Sequence, residues 1–441
     1  MLCAIVMLTA LAAEATAPPE IQLHRSQLDN GIRLVLAQVE NAQSQTTFTF
    51  LPLTIANDDK DRSQWSHLLE HMLIRTTDPL ELHAEGVTFN GETTSMYLRM
   101  ETFAQPAKWK EALQRLAKWL NARAFDPQSL AREKANIQLE EQSTAAQCYT
   151  GKFALAAWNQ VVRHGAPHAS VHGDVANATV EAVQQYAADK VPFDDSMTIA
   201  SIGPAPVEEV RAEIQRLLGT AERKTIALQS AEREGGIVGK SFRATWDFPT
   251  RHAKWFWKLP DREPTTLAAA AIVGQAIHTF FFTDPKLRGA IRQVGVNPAV
   301  RVPEGTYLIV DCCLPDGGKA EEVWSMLKPA IVQLAEGGAR RPLLGMTGPM
   351  IAQQLDPAPD LAAWRQQLPP AMRDNAEGVW LLSSLNFEYP WGTKASEIHA
   401  LLATPDKKAI DVVLDALISA EPATLTLEPT RQPATAPASG E

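Results

Sequence analysis

Ser66-His67-Leu68-Leu69-Glu70-His71-Met72 is the stretch in which two histidines and a carboxylate stand within five residues. At about 100° per residue of helix, Glu70 projects about 60° to one side of His67 and His71 about 40° to the other. The three side chains then share one arc, while Leu68, Leu69, Met72 and Leu73 are left to pack inward. Two imidazoles at i and i+4 can hold one divalent ion, and the carboxylate between them can reach a water beside it. The order is H-x-x-E-H, the reverse of the commoner zinc-protease motif. With 10 His and 51 acidic side chains in 441 residues, chance produces the pattern roughly 0.03 times per chain. Coincidence on a solvated helix face is therefore a poor explanation.

A catalytic zinc takes three protein ligands and keeps a fourth position open. The segment FDPQSLAREKANIQLEEQ supplies candidates on a helix that Asp126 should cap, with Pro127 in its first turn. Glu133 and Glu140, seven residues apart, fall nearly on one face of it. Periodicity does not choose between Glu140 and its neighbour Glu141.

Outward from these segments the chain alternates strands and helices. Asn30-Gly31 is a hairpin signal feeding a strand from Ile32 to Val39, and TTFTFLPL is a second strand. Trp109, Leu113, Leu116 and Leu120 form one helical stripe. SMTIASIG and VEEVRAEIQRLLG then close a first block at 21–219. The polar stretch 220–240 reads as a linker. A second block, 241–427, repeats the order with FRATWDFPTRHAKWFWKLP, TTLAAAAIVGQAIHTFF, TYLIVDCCLP and AEEVWSMLKPAIVQLAEGG. Two α+β domains, diverged copies of one unit, fit the length and the pattern, although no identity between the halves is visible.

Composition narrows the function. The chain is 45% hydrophobic and 21% charged, with 41 basic and 51 acidic side chains and a net charge of −10. Those fractions exclude a wholly disordered, collagenous or polytopic membrane chain. No basic stripe is present to release phosphate counterions, so nucleic acid is not an expected partner. Residues 1–17, MLCAIVMLTALAAEATA, are too short to span a bilayer stably but suit a signal peptide without a basic leader, which implies export to a periplasm-like compartment. Its cleavage leaves Cys148, Cys312 and Cys313, an odd number and no disulfide framework. Alternation puts Cys312 and Cys313 on opposite faces of a strand, for packing or a redox role. His164, His168 and His172 are separated by Gly and Pro, so loop positions are expected rather than a metal cluster. The aromatics of WDFPTRHAKWFWKLP either pack a half-buried strand or line a chamber. Residues 428–441, rich in Pro, Ala and Thr, read as a disordered tail.

HLLEH, FNGETTSMY and EKANIQLE in this order resemble the pitrilysin-type (M16) zinc metallopeptidases, which include insulin-degrading enzyme and the mitochondrial processing peptidase. LDNGIRLVL and the run from TVEAVQQYAADKV to VEEVRAEIQRLLG add to the likeness. The resemblance implies two similar domains, each a mostly antiparallel sheet flanked by helices. It implies one Zn2+ per chain on His67, His71 and Glu140, with Glu70 as the base and Glu133 as a supporting acid in the catalytic set. Asn90 occupies the position of an Asn in the strand that takes an extended peptide, with Gly91 where the family usually has Ala; a turn at Asn90-Gly91 is the alternative. Single-chain members carry an Arg and, seven residues on, a Tyr that hold the substrate carbonyl. Arg292 fits the first, but the second position is Ala299 and the nearest Tyr is Tyr307. Two-subunit members divide these parts between chains. The expectation is a zinc endopeptidase acting on peptides or small unfolded polypeptides, as the metal-bearing subunit of a dimer whose homologous partner supplies the Arg/Tyr pair. A non-catalytic, peptide-binding or scaffolding subunit with a vestigial site is the alternative.

Overall fold

Asn30 and Gly31 turn the chain between β1 (His24–Gln27) and β2 (Arg33–Gln38). Gly31 sits at φ +99°, where a side chain would be strained, and Asn30 Nδ2 ties the turn to the Leu218 carbonyl at 2.9 Å. This hairpin opens a computed structural model that describes residues 21–74, 84–122, 125–146, 148, 151–170, 172–226, 236–302, 305–338, 340–355 and 361–430. The leader at 1–17, the tail from 431 and the centre of the 220–240 linker lie outside the described residues.

The remaining strands are β3 (Gln45–Leu51), β4 (Val87–Thr93), β5 (Leu98–Ala104), β6 (His168–Ala169), β7 (Thr198–Gly203), β8 (Ser241–Trp246), β9 (Arg251–Lys258), β10 (Gln293–Val302), β11 (Gly305–Leu314) and β12 (Ala423–Pro429). They make two six-stranded sheets, ordered β1-β2-β7-β3-β5-β4 and β10-β11-β9-β12-β8-β6. Five strands of each sheet follow one topology, while the edge strands β1 and β6 differ, β1 antiparallel to β2 and β6 parallel to β8. In each, the last strand of the half inserts between the first two long ones, parallel to one and antiparallel to the other: β7 between β2 and β3, β12 between β8 and β9. The antiparallel hairpins β4–β5 and β10–β11 then carry each sheet outward to its edge. The sheets are thus mixed, with the α+β character and the repeated order that the sequence implied.

Helices cover the sheets. In the first half they include α1 (Trp65–Ile74), α2 (Trp109–Ala122) and α3 (Pro127–Ala146), the last begun as expected by Asp126, whose Oδ1 accepts the Ser129 N–H at 2.8 Å. The helix Pro264–Thr283 holds the corresponding place in the second half. It is long and apolar enough to cross a membrane by length and composition, but most of it is buried inside the protein. Leu267 to Val273, Ala276, Ile277, Phe280 and Phe281 fill the second core.

The halves are interlocked rather than strung on a linker. Trp158, Val161 and Val162 from the first half pack with Trp246, Phe256, Tyr307 and Leu425 of the second sheet. Reciprocally, Trp380, Leu381 and Leu385 of the helix Ala376–Trp391 pack on Phe48, Phe50 and Ile202 of the first. Several sequence boundaries need correction for this reason. β6 belongs to the second sheet although it lies within 21–219, so His168 is in a strand, pairing with Thr245. Ile237 of the linker is fully buried, and Lys224 bridges to Phe193. β12 runs through Pro429, beyond the expected start of the tail, because its last residues pair with Thr245 and Trp246. Trp246, Trp255, Phe256 and Trp257 are buried, so the aromatic segment packs a sheet and lines no chamber. Cys312 faces the second core while Cys313 points to the other side of β11.

Candidate metal centre

All ten residues of α1 are buried. Leu68, Leu69, Met72 and Leu73 enter the first core beside Leu98, Met100, Leu116 and Ile137, which fixes the roll of the helix and aims the opposite arc at α3. On that arc His67, Glu70 and His71 are 0, 4 and 1% exposed. Burying three ionisable groups together is unfavourable unless each has a partner, and each does.

His67 Nε2 and His71 Nε2 approach to 3.2 Å. Glu140 reaches them from α3, with Oε2 3.4 Å from His67 Nε2 and Oε1 3.4 Å from His71 Nε2. Glu141, which periodicity could not separate from Glu140, turns aside: its Oε1 is 3.2 Å from His172 Nδ1 and 3.5 Å from Gln64 Nε2. Glu133, one heptad before Glu140, is fully buried behind His71, with Oε2 3.2 Å from Nδ1. Arg132 Nε and Asn136 Nδ2 donate to the same carboxylate at 2.8 and 2.9 Å. Glu133 thus meets the His71 ring from behind, on Nδ1, the nitrogen remote from His67 and Glu140. Gln64 does the same for the other ring, its Oε1 lying 3.0 Å from His67 Nδ1.

The donor set fits zinc. Two imidazole nitrogens and a carboxylate are ligands that zinc takes; here the nitrogens are 3.2 Å apart, a different Glu140 oxygen lies 3.4 Å from each, and one ligand atom from each residue falls within 4.8 Å of the others. Among the described residues, His67, His71 and Glu140 are the group able to hold a metal ion. The field favours a cation there. Burial opposes protonation of His71, yet the Glu133 and Glu140 carboxylates, with Glu70 nearby, outweigh it and raise its pKa. Glu133 itself, pushed up by burial, is brought below the usual range by His71, Arg132 and Asn136.

Glu70 stands beside β4. Thr93 Oγ1 donates to its Oε2 at 2.6 Å, and a Cβ on Gly91 would come within 2.8 Å of Glu70 Cγ. A side chain at position 91 would therefore have to displace Glu70 or Ile74 from where they lie here. β4 is an edge strand, bonded on one side to β5. Asn90 lies in its middle, exposed and opposite Glu101, to whose Oε2 its Nδ2 donates at 3.3 Å; the alternative of a turn at Asn90 does not hold.

Arg292 precedes β10, pairs with Asp316 at 3.1 Å and lies against the Cys148 thiol. Ala299 is buried in the second core and Tyr307 among Trp158 and Phe256, so neither offers a phenol to a substrate. His168 Nδ1 lies 3.0 Å from Thr245 Oγ1, whereas His172 Nδ1 meets Glu141 and so reaches the rim of the site. The sequence reading passed over Gln64 and Thr93. Thr93 could have been found from its place in FNGETT, two residues past Gly91; no sequence signal marks Gln64.

Comparison with known proteins follows the same lines. Residues 55–163, which contain α1, β4 and α3, match the family described as Insulinase (Peptidase family M16). No curated protein matches the sequence. Among solved structures, a protease from Helicobacter pylori superposes with a TM-score of 0.67 at 12% identity, covering 93% of this chain and 100% of that one. Pitrilysin superposes with a TM-score of 0.56 at 13% identity over 95% of this chain and 46% of its own. At such identity these likenesses speak for the fold, and the family match speaks for the segment that bears the motif. The family match is thus confined to residues 55–163, which bear H-x-x-E-H on the helix after β3, and the solved structures show that the two mixed sheets have the fold of these proteins.

Proposed function

We propose that the chain is a zinc-dependent endopeptidase for peptides or small unfolded polypeptides. The observation that carries this reading is the convergence of His67 Nε2, His71 Nε2 and the Glu140 carboxylate within 3.4 Å, beside a second carboxylate on the same helix and an open strand edge. Zinc bound by His67, His71 and Glu140 supplies Lewis-acid polarisation of a carbonyl and a lowered pKa for water. The chain's own residues do the rest. An extended peptide adds to the free edge of β4, where main-chain hydrogen bonds hold it irrespective of sequence and Asn90 is exposed to meet it. Glu70, steadied by Thr93, accepts the proton of the attacking water and passes it to the leaving amine.

The dimeric part of the proposal rests on what the second half lacks. Ala299 offers no donor to the developing oxyanion and Arg292 is engaged by Asp316, and loss of one such donor costs about 3 kcal/mol in the transition state. A homologous partner contributing an Arg/Tyr pair would restore it. Export to the periplasm is a further element of this reading, resting on the apolar residues 1–17. The same incompleteness favours the second reading, a peptide-binding subunit that does not turn over. Cleavage of an unstructured peptide by wild type and Glu70→Gln, beside metal analysis of both, separates them. The proposal expects zinc in both proteins and turnover only in wild type, alone or with a partner. Equal cleavage by Glu70→Gln sinks the role of Glu70, and zinc without cleavage in any pairing supports the binding subunit.

A further inference from the structure

We propose that Gln64 is a positioning residue of the metal centre, its amide oxygen holding His67 as the Nδ1-protonated tautomer so that Nε2 presents its lone pair to the ion. The inference rests on the reading of His67, His71 and Glu140 as the metal site. Three observations carry it.

The first is backbone conformation. Gln64 sits at φ +67°, and Cys148 is the only other non-glycine residue at positive φ among those described. A residue with a Cβ is disfavoured in the left-handed region, and glycine would occupy it without penalty. The task of the backbone here needs no side chain, since the Gln64 carbonyl simply accepts the Leu68 N–H at 3.0 Å as α1 begins.

The second is the placement of the amide. The residue is 0% exposed. Its Oε1 lies 3.0 Å from His67 Nδ1 and its Nε2 3.5 Å from Glu141 Oε1. Nε2 is turned toward the Glu141 carboxylate, an acceptor, and Oε1 is the end of the amide that faces His67. An amide oxygen can only accept in turn, so the proton must be on His67 Nδ1. Glu141 is itself held by His172 Nδ1 at 3.2 Å.

The third is the match across the site. Glu133 does for His71 Nδ1 what Gln64 does for His67 Nδ1. Ring nitrogens remote from a metal are commonly anchored in this way, which fixes the tautomer and the ring orientation. One anchor is anionic and the other neutral, so the site carries the carboxylates of Glu70, Glu133 and Glu140 without a fourth pressed against His67.

Gln64→Gly separates the two tasks, because it relieves the backbone while removing the acceptor. The test titrates zinc into the metal-free full chain against a competing chelator, for wild type, Gln64→Gly and Gln64→Glu. Nitrogen-detected NMR of the metal-free proteins reports the His67 tautomer, and their thermal midpoints are compared. The expected result is a zinc Kd raised about 10–100-fold in Gln64→Gly, with an unchanged or higher midpoint and a mixed His67 tautomer. Gln64→Glu keeps an acceptor oxygen and recovers most of the affinity. Wild-type affinity in Gln64→Gly overturns the inference alone, as does an unchanged tautomer in that variant. A wild-type chain that binds no zinc overturns the metal-site reading together with it.

Discussion

His67 Nε2 and His71 Nε2 face each other at 3.2 Å while their Nδ1 atoms are turned away onto Gln64 and Glu133. With both Nε2 atoms unprotonated, the two ring lone pairs repel at this distance, and an ion between them would relieve that repulsion. An ion that binds only the folded state stabilises it by mass action, by about 2.7 kcal/mol at one hundred times its Kd. Removing metal with a chelator is therefore expected to lower the thermal midpoint of wild type. His71→Ala, which removes one ligand, should start lower and not respond to the chelator. Calorimetry with and without chelator, beside atomic absorption for one zinc per chain, checks both. A midpoint of wild type indifferent to the chelator would count against the site.

Gly91 bears on catalysis through space rather than chemistry. Its missing Cβ would lie 2.8 Å from Glu70 Cγ and 2.9 Å from Ile74 Cδ1. Gly91→Ala should push the Glu70 carboxylate off Thr93 and lower kcat about 10–100-fold, since misplacement by about 1 Å can cost that much. Zinc content should stay at the wild-type level, because neither His67 nor His71 is touched. Steady-state kinetics with metal analysis tests this; wild-type kcat in Gly91→Ala would show that Glu70 has room to move.

The H-x-x-E-H arc and the repeated order of strands and helices were legible in the sequence for different reasons. H-x-x-E-H is local, and a helix of 3.6 residues per turn makes its arc calculable from spacing alone. Glu140 and Glu141 could not be told apart that way, because the choice depends on how α3 rolls against α1, which the burial of Leu130 and Ile137 in the first core sets. The repeat was legible as an order of strands and helices. The interlocking was not, because the strand β6 that crosses to the other sheet has only two residues, and the apolar face of the helix Ala376–Trp391 does not name the sheet it will cover. Gln64 was illegible for a different reason: nothing in its neighbours Ser63 and Trp65 announces a positive φ.

Lys254 and Asp311 lie across β9 and β11, Nζ to Oδ2 2.6 Å, with Lys254 1% exposed and His252 Nδ1 on the other carboxylate oxygen at 3.1 Å. Burial pushes the Asp311 carboxyl up, but Lys254 and His252 outweigh it and hold it well below the usual range. Lys254→Met strands that carboxylate in the sheet interface and should destabilise the chain by about 3–5 kcal/mol. Lys254→Met with Asp311→Leu removes both charges and should recover most of the loss. Urea unfolding of the single and double variants decides; a double variant less stable than the single would refute the account.

Asp58 gives the fold a pH dependence of calculable sign. It is 1% exposed before α1, accepting from Ser66 N–H at 3.2 Å, from Ser66 Oγ and from Tyr186 OH at 2.7 Å. Burial pushes its pKa from 3.8 up to about 7, against the hydrogen bonds from Ser66 and Tyr186. The folded state thus binds a proton that the unfolded state has released between these values. The stabilising contribution is fully present below pH 3.8 and is lost as pH rises through about 7. A difference of about 3 pKa units corresponds to at most about 4 kcal/mol. Asp58→Asn keeps an acceptor oxygen and does not titrate, so its unfolding free energy should fall less than that of wild type between pH 4 and pH 8. Both proteins are best compared metal-free, so that protonation of zinc ligands does not enter. Parallel curves of unfolding free energy against pH would mean that Asp58 remains ionised throughout, held by Ser66 and Tyr186 more strongly than burial opposes it.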